Sequence, residues 1–503
     1  MQGTPESKEK VLIPNRGVIA LDILYSLKSI GLETILLHSP ADSLSLPVKL
    51  ADKSYKFYSS KLEDSYMDLN SIIEKAIELK VNYIHPGYGF LSERPEFSKL
   101  CRDNNINFIG PEYEVLKIVE NKIELLKTIE NLGIKTLNHS NPITSSLESE
   151  SISHDLKFPL IIKPIKGSGG NGIVIAEYRK DAIDKINALM QRDKYQKNGI
   201  FVEEFLPYAH EIEIPFIRDI KGNIIFLPEI ESSVQRRFQK IFQESPSVNV
   251  SENLRQSMYE NSKKIIEKIN YMGLGYIEFI VENDNAYFSE INPTFQINTM
   301  IPEIHIKSNF IKKQFAISRG ELLHNVNGVK IVKPDHKILL MSLMAENPNN
   351  NFQPSSGTIT EFFHYSTLRD IFKTHLYTRS KVPPIYDPYI GKILSFTQKR
   401  ETAISNMRNF LDNIIIRGIR TNLNFLKNLL DNESLKQGKT IIDFLNLKHE
   451  IFVKPKTEEE ILIATALVSA EFHLQNRKKN YKAKLEKMKQ PGFFKKIIKQ
   501  ILR

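Results

Sequence analysis

Short apolar blocks separated by polar turns organise this 503-residue chain. Residues 11–13 are continuously apolar, residues 18–30 carry apolar positions at helical spacing and stop just before Gly31, and residues 34–38 hold another apolar block, Ile35 to Leu37. Strand, helix and strand in that order predict a βαβ start, so residues 1–118 read as an open α/β domain. A further strand at 81–84 runs into HPGYGFLSE from His85 to Glu93, where Pro86, Gly87 and Gly89 force a tight loop. A loop at the carboxyl end of such a strand is well placed for ligand contact.

Two later segments bring chemistry. Residues 158–178 read FPLIIKPIKGSGGNGIVIAEY: a strand ending at Lys163, a loop with Gly167, Gly169, Gly170 and Gly172, and a second strand. No Gly-Lys-Ser/Thr leads into a helix and no helix follows the glycines, so this is neither a P-loop nor a dinucleotide fingerprint. A strand-loop-strand flap can fold over polyphosphate with its backbone N–H groups toward the anion and Lys163 as a point charge; an ordinary hairpin tip is the plain alternative. Residues 275–282 and 286–292 predict a hairpin around Asn283, Asp284 and Asn285, with Glu278 and Glu290 on adjacent strands and Asn292 on the face of Glu290. Three oxygen donors on a hairpin suit a hard cation, Mg²⁺ or Mn²⁺; solvated edge charges are the alternative.

Composition narrows the class. At about 150 residues per domain the length predicts three domains. No charged-apolar-small leader opens the chain and no apolar run is long enough to span a bilayer, so a membrane role is not expected. The single Cys101 excludes an intrachain disulfide framework and points to a reducing, cytoplasmic setting. The net charge of +10 follows a general abundance of Lys, so no nucleic-acid partner is expected. In the tail, Thr457 and Glu460 form a capping-box start, and residues 493–503 place Phe493, Phe494, Ile497, Ile498, Ile501 and Leu502 on one helical face with basic residues opposite, a face suited to docking on protein. Met488-Lys489 lies in a charged helical run, so no covalent biotin is expected on this chain.

The order of these pieces resembles the biotin carboxylase family of ATP-grasp enzymes from residue 11 to 447: VLIPNRGVIAL, HPGYGFLSE, Lys122, the Lys163 flap, Glu203, SVQRRFQK, Glu278, SEIN ending at Asn292, VPPIYDPYIGKI and IIIRGIRTN. The resemblance implies a mixed α/β and α+β architecture: an N-terminal α/β domain at 1–118, an ATP-grasp domain at 119–330 with a glycine-rich lid at about 135–205, a biotin-carboxylase C-terminal domain at 331–447, and a basic amphipathic helical tail at 448–503. It implies ATP on Lys122, Lys163, Gly167, Gly169, Gly170, Gly172, Glu203, Glu204, Leu206 and Gln235, and Mg²⁺ on Glu278, Glu290 and Asn292. Implied partners are biotin carrier and carboxyltransferase subunits and an active biotin carboxylase paralogue, in a hetero-oligomer.

The departures cluster. The family motif Asn-x-Arg-x-Gln-x-Glu supplies a bicarbonate Arg and a general base; here those positions are Thr294 and Asn298, with Gln296 retained. The family's enolate-stabilising Arg is Ser342, two family histidines are Glu211 and Phe238, and Lys166, Ser168 and Asn171 replace usual flap residues; Lys240 is kept. Losing a general base costs roughly 10² to 10⁴ in rate and losing an oxyanion stabiliser roughly 10² to 10³. The expectation is a carboxylase subunit that retains Mg-ATP and has lost catalysis. The alternatives are a divergent active biotin carboxylase and an ATP-grasp ligase for another carboxylate.

Overall fold

The computed structural model describes residues 8–151, 155–167, 169–447 and positions 465, 466, 469 and 471. The chain divides into two compact units, Met1–Phe452 and Val453–Arg503. In the second, the four described positions are helical, and the rest of the tail, including residues 493–503, lies outside the described residues, as does Ser168.

The βαβ start is present as Lys10–Ile13, Gly17–Lys28 and Glu33–His38. The three apolar segments bury one another, and the chain leaves the helix through Gly31 at φ +89, a conformation that disfavours any Cβ. Five parallel strands follow the order Lys53–Lys56, Glu33–His38, Lys10–Ile13, Tyr83–Ile84 and Asn107–Phe108. At the end of Tyr83–Ile84 the loop is clasped by Asn15, whose Nδ2 donates to the carbonyls of Pro86 (2.8 Å) and Tyr88 (3.0 Å). A Cβ on Gly87 would sit 2.6 Å from that same Nδ2, which is why the loop needs glycine there.

A second sheet carries the site. Its path runs Asn285–Asn292, Gly273–Glu282, His210–Arg218, Ile230–Arg236, Gln239–Ser245, Lys337–Met344, Tyr389–Thr397 and Asp370–Thr374, so one continuous sheet joins the metal-type hairpin to the C-terminal region. The hairpin turns on two residues, Asn283 (φ +48) and Asp284 (φ +57), whereas the sequence pattern predicts three; Asn and Asp tolerate the left-handed conformation that a tight turn demands, and Asn285 joins the strand. Tyr276, Phe279 and Phe288 are fully buried beneath the hairpin, each contributing roughly 1.5 to 3 kcal/mol of burial.

A three-stranded antiparallel sheet, Val174–Ala176, Leu160–Pro164 and Ile200–Glu204, forms the lid with the helices Arg179–Met190 and Asp193–Asn198. It has its own core of Leu160, Ile162, Ala182, Ile186, Leu189 and Val202. The lid is thus a small body that can hold its glycine loop in place.

Candidate active site

The nucleotide-type residues converge on the lid and hinge. Lys163 is the penultimate residue of the central lid strand, and its ammonium is ion-paired with Glu203 on the neighbouring strand. Burial opposes the charge on Lys163, but Glu203, Glu290 and Glu211 outweigh it and raise its pKa. Lys122 caps the same space from the start of the helix Lys122–Asn131: its Nζ donates to the Gly167 carbonyl at 3.0 Å and lies 3.7 Å from Glu290 Oε2. Gly167, Gly169, Gly170 and Gly172 all have positive φ, and a Cβ on Gly172 would meet Tyr195 Oη at 2.2 Å. Glu204 spends its carboxylate on Asn138 Nδ2 (3.0 Å) and the Lys157 N–H (2.9 Å), which ties the lid's two connections together. Gln235 donates to the Ser232 carbonyl at 2.9 Å and lies across from Lys240 in the sheet.

Leu206 joins an apolar patch with Leu137, Ala209, Ile280, Tyr287 and Ile442. Ile442 had no local signal in the sequence. It arrives from the far end of the described chain, where its N–H donates to the Ala209 carbonyl (2.9 Å) and that of Asp443 to the Pro207 carbonyl (3.1 Å). The patch offers an apolar face beside the hinge, suited to a flat ring.

The hairpin brings its oxygen donors together as its pattern predicts. Glu278 and Glu290 are direct partners across the two strands, and Asn292 Nδ2 donates to Glu278 Oε1 at 2.8 Å. Burial would raise the Glu290 pKa, but Lys122, Lys163 and Lys240 lower it, so this carboxylate stays charged. Two paired carboxylates, an amide oxygen and two lysines facing them fit a magnesium-bound polyphosphate.

The acceptor side is different. Thr294, Gln296 and Asn298 are all buried, with Gln296 Nε2 donating to Thr294 Oγ1 (3.2 Å) and Asn298 Nδ2 to Glu213 Oε2 (3.0 Å). Lys240 is linked to them through Glu213. Its Nζ is bonded to Glu213 Oε1 (2.8 Å), ion-paired with Glu278, and 3.3 Å from Glu211 Oε1. Burial opposes its charge, and the three carboxylates raise its pKa well above the ordinary lysine value. Burial also pushes Glu278 upward, with Lys240 pulling it down and Glu211 pushing it up again.

Ser342 lies on a strand connected to this group through Lys392. It is buried within Lys337–Met344, its carbonyl accepts from Asn422 Nδ2 at 3.1 Å, and its cross-strand partner is Lys392. Lys392, fully buried, donates to the Ile297 carbonyl (3.1 Å) and pairs with Asp22 (2.7 Å), so it braces the loop that carries Gln296 and Asn298. Phe238 sits at φ +62 in a tight turn, with its Cβ against Gly170 of the lid loop.

Glu213 is the hub that motif reading missed. It is fully buried and accepts from Lys240, Gln243, Ser232 and Asn298. Its signal was present: Glu211 and Glu213 alternate along one strand and share a face.

A lid, a hinge and a paired-carboxylate hairpin define an ATP-grasp protein, and comparison with known proteins specifies which kind. Residues 7–116 match the biotin carboxylase N-terminal domain, residues 121–326 the ATP binding domain of the carbamoyl-phosphate synthase L chain, and residues 341–447 the biotin carboxylase C-terminal domain. The chain is 32% identical over 442 residues to the biotin carboxylase of a Nostoc species, covering 87% of this chain and 98% of that protein. It is 32% identical over 485 residues to the mitochondrial methylcrotonoyl-CoA carboxylase subunit alpha of Dictyostelium discoideum, covering 94% and 68%. Among solved structures it resembles the biotin carboxylase domain of the Hydrogenobacter thermophilus 2-oxoglutarate carboxylase, in complex with MgADP, ADP and bicarbonate (TM-score 0.84, 27% identity, 89% of this chain and 99% of that one). The biotin carboxylase of Campylobacter jejuni gives a TM-score of 0.82 at 28% identity, covering 88% and 99%. The chain belongs to the biotin carboxylase family.

No helix among the described residues is long and apolar enough to cross a membrane.

Proposed function

We propose that this chain is a subunit of a multi-subunit biotin-dependent carboxylase that binds Mg-ATP and does not itself carboxylate biotin. One observation carries the reading: both cations that contacts place by the loop of Thr294, Gln296 and Asn298 among the described residues are already paired, Lys240 with Glu211, Glu213 and Glu278, and Lys392 with Asp22 and the Ile297 carbonyl. With three carboxylates around the Lys240 ammonium, no positive charge is left over for bicarbonate, where an anion pocket needs a planar cation. Neither Thr294 nor Asn298 can take a proton as a carboxylate base would.

Nucleotide binding is supported separately by Lys122, Lys163 and the Glu278, Glu290 and Asn292 hairpin, which hold and orient the phosphates while bound Mg²⁺ would supply charge neutralisation. Membership of an assembly with biotin carrier and carboxyltransferase subunits is supported by the Dictyostelium relative, a carboxylase subunit alpha. The test is bicarbonate-dependent ATP cleavage and carboxylation of free biotin by the purified chain. Neither should exceed background, and brisk turnover of both would overturn the reading.

A further inference from the structure

The strand Val329–Ile331 lies at an edge of the second sheet. It pairs in parallel with Ile224–Phe226, and no strand lines its other side among the described residues. Both ends are fixed: the Gly328 carbonyl accepts from the Ile224 N–H at 2.8 Å, the Val332 N–H donates to the Phe226 carbonyl at 2.9 Å, and Val332 packs against the core. Successive residues of a strand turn their backbone groups to opposite sides, so Val329 and Ile331 direct N–H and C=O outward, away from that pairing. The edge is preformed and open.

Its side chains say what it would accept. Val329 and Ile331 share one face and are 41% and 39% exposed. Lys330 is on the opposite face, near Lys313 of the helix Phe310–Ser318; burial first, and then the Lys330 ammonium, lowers the Lys313 pKa. Neither lysine is ion-paired among the described residues. The edge strand Lys53–Lys56 differs, because its Lys53 is neutralised by Glu33 at 2.7 Å. Lysine on an edge discourages pairing with most strands, including a second copy of this one, whose Lys330 brings the same charge. Toward a strand that carries carboxylates the same two lysines are attractive.

We propose that Val329–Ile331 receives an extended acidic segment of a partner protein as an added strand, with apolar side chains over Val329 and Ile331 and, at the alternate positions, carboxylates toward Lys330 and Lys313. Main-chain bonds to Val329 and Ile331 supply the docking, and the lysines select the partner by charge.

The experiment titrates the full chain into a fluorescein-labelled peptide of alternating valine and glutamate, followed by fluorescence anisotropy. Saturable binding that weakens with added salt is expected, and a peptide of alternating valine and lysine should not bind. Ile331→Pro removes an outward N–H without touching the pairing to Ile224–Phe226, and Lys330→Glu reverses the charge. Each should weaken the valine-glutamate peptide about tenfold or more, and Lys330→Glu should gain affinity for the valine-lysine peptide. A thermal melt checks that each variant is folded; if Ile331→Pro is not, Lys330→Glu carries the comparison. No saturable binding, equal affinity for the two peptides, or undiminished affinity in the folded variants overturns the proposal. Self-association of the chain in place of peptide binding, lost in Ile331→Pro, would assign the edge to a second copy and overturn it as well.

Discussion

Lys240 Nζ lies 2.8 Å from the Oε1 of Glu213, a carboxylate with no exposed surface. Glu213 has no water to fall back on, so its charge is stabilised by this lysine and by the amides of Gln243 and Asn298. Removing one partner of a buried pair is costlier than removing both, because the survivor stays buried and charged. Lys240→Met is therefore expected to destabilise the fold by about 3 to 5 kcal/mol, and Lys240→Met with Glu213→Gln by less than that. Urea denaturation of the two variants decides it, and equal loss in both would mean that the pair is not coupled.

Mg-ATP should bind with a measurable heat and raise the melting temperature. Lys163→Met removes a buried ammonium aimed at the same space as Lys122 and Glu290, and a hydrogen bond to a charged group is worth about 1.5 to 3 kcal/mol. Affinity should fall by about 10-fold to 100-fold, read by isothermal titration. No heat and no thermal shift at millimolar nucleotide in the unmodified chain would remove the nucleotide site.

Carboxylation should not appear in the unmodified chain. Thr294→Arg with Asn298→Glu and Ser342→Arg introduces the side chains that the family resemblance implies for these positions. Bicarbonate-dependent ATP cleavage by that variant, compared with the unmodified chain, measures how much of the loss resides at these positions. Ser342 is buried in the middle of a sheet, so the first two changes alone are expected to give most of any recovery.

Acid should unfold this protein through its histidines. Burial lowers His85 to about 3, and His305 and His375 to about 4, from 6.5. The unfolded chain thus takes up protons that the folded one refuses, so stability is present above pH 6.5 and falls as the pH drops from there toward 4. A lowered midpoint in urea between pH 7 and 5 is expected, and His375→Leu should flatten the slope; a stability independent of pH across that window would contradict it.

Deleting residues 491–503 should leave the fold of the first unit unchanged and weaken capture of carboxylase subunits. Pull-down by the truncated chain at unchanged yield tests this. The same partners in the same amounts would exclude the segment.

Much of the site was legible because motifs and periods are local. The alternation along residues 275–292 placed Glu278 and Glu290 on adjacent strands, where they are direct partners, and the glycines around Lys163 marked the lid. What escaped was whatever needs the chain to return on itself. Ile442 reaches the hinge from more than two hundred residues away, and Lys392 reaches the Ile297 carbonyl only because its strand pairs beside Ser342. Neither contact leaves a trace in nearby sequence. The missed hub, Glu213, is an error of another kind: its period-two relation to Glu211 was readable, but a single carboxylate between apolar residues looks like an ordinary strand position until the lysine opposite it is known.

The bond from Asn298 Nδ2 to Glu213 Oε2 sets an order in which this pocket can be rebuilt. Asn298→Glu by itself sets a further carboxylate against Glu213, which already shares one lysine with Glu211 and Glu278, and like charges this close oppose it. Arginine at position 294 enters the same negative ground favourably and makes the later glutamate tolerable. Rebuilding the pocket is thus favoured in one order, position 294 before position 298, and opposed in the other.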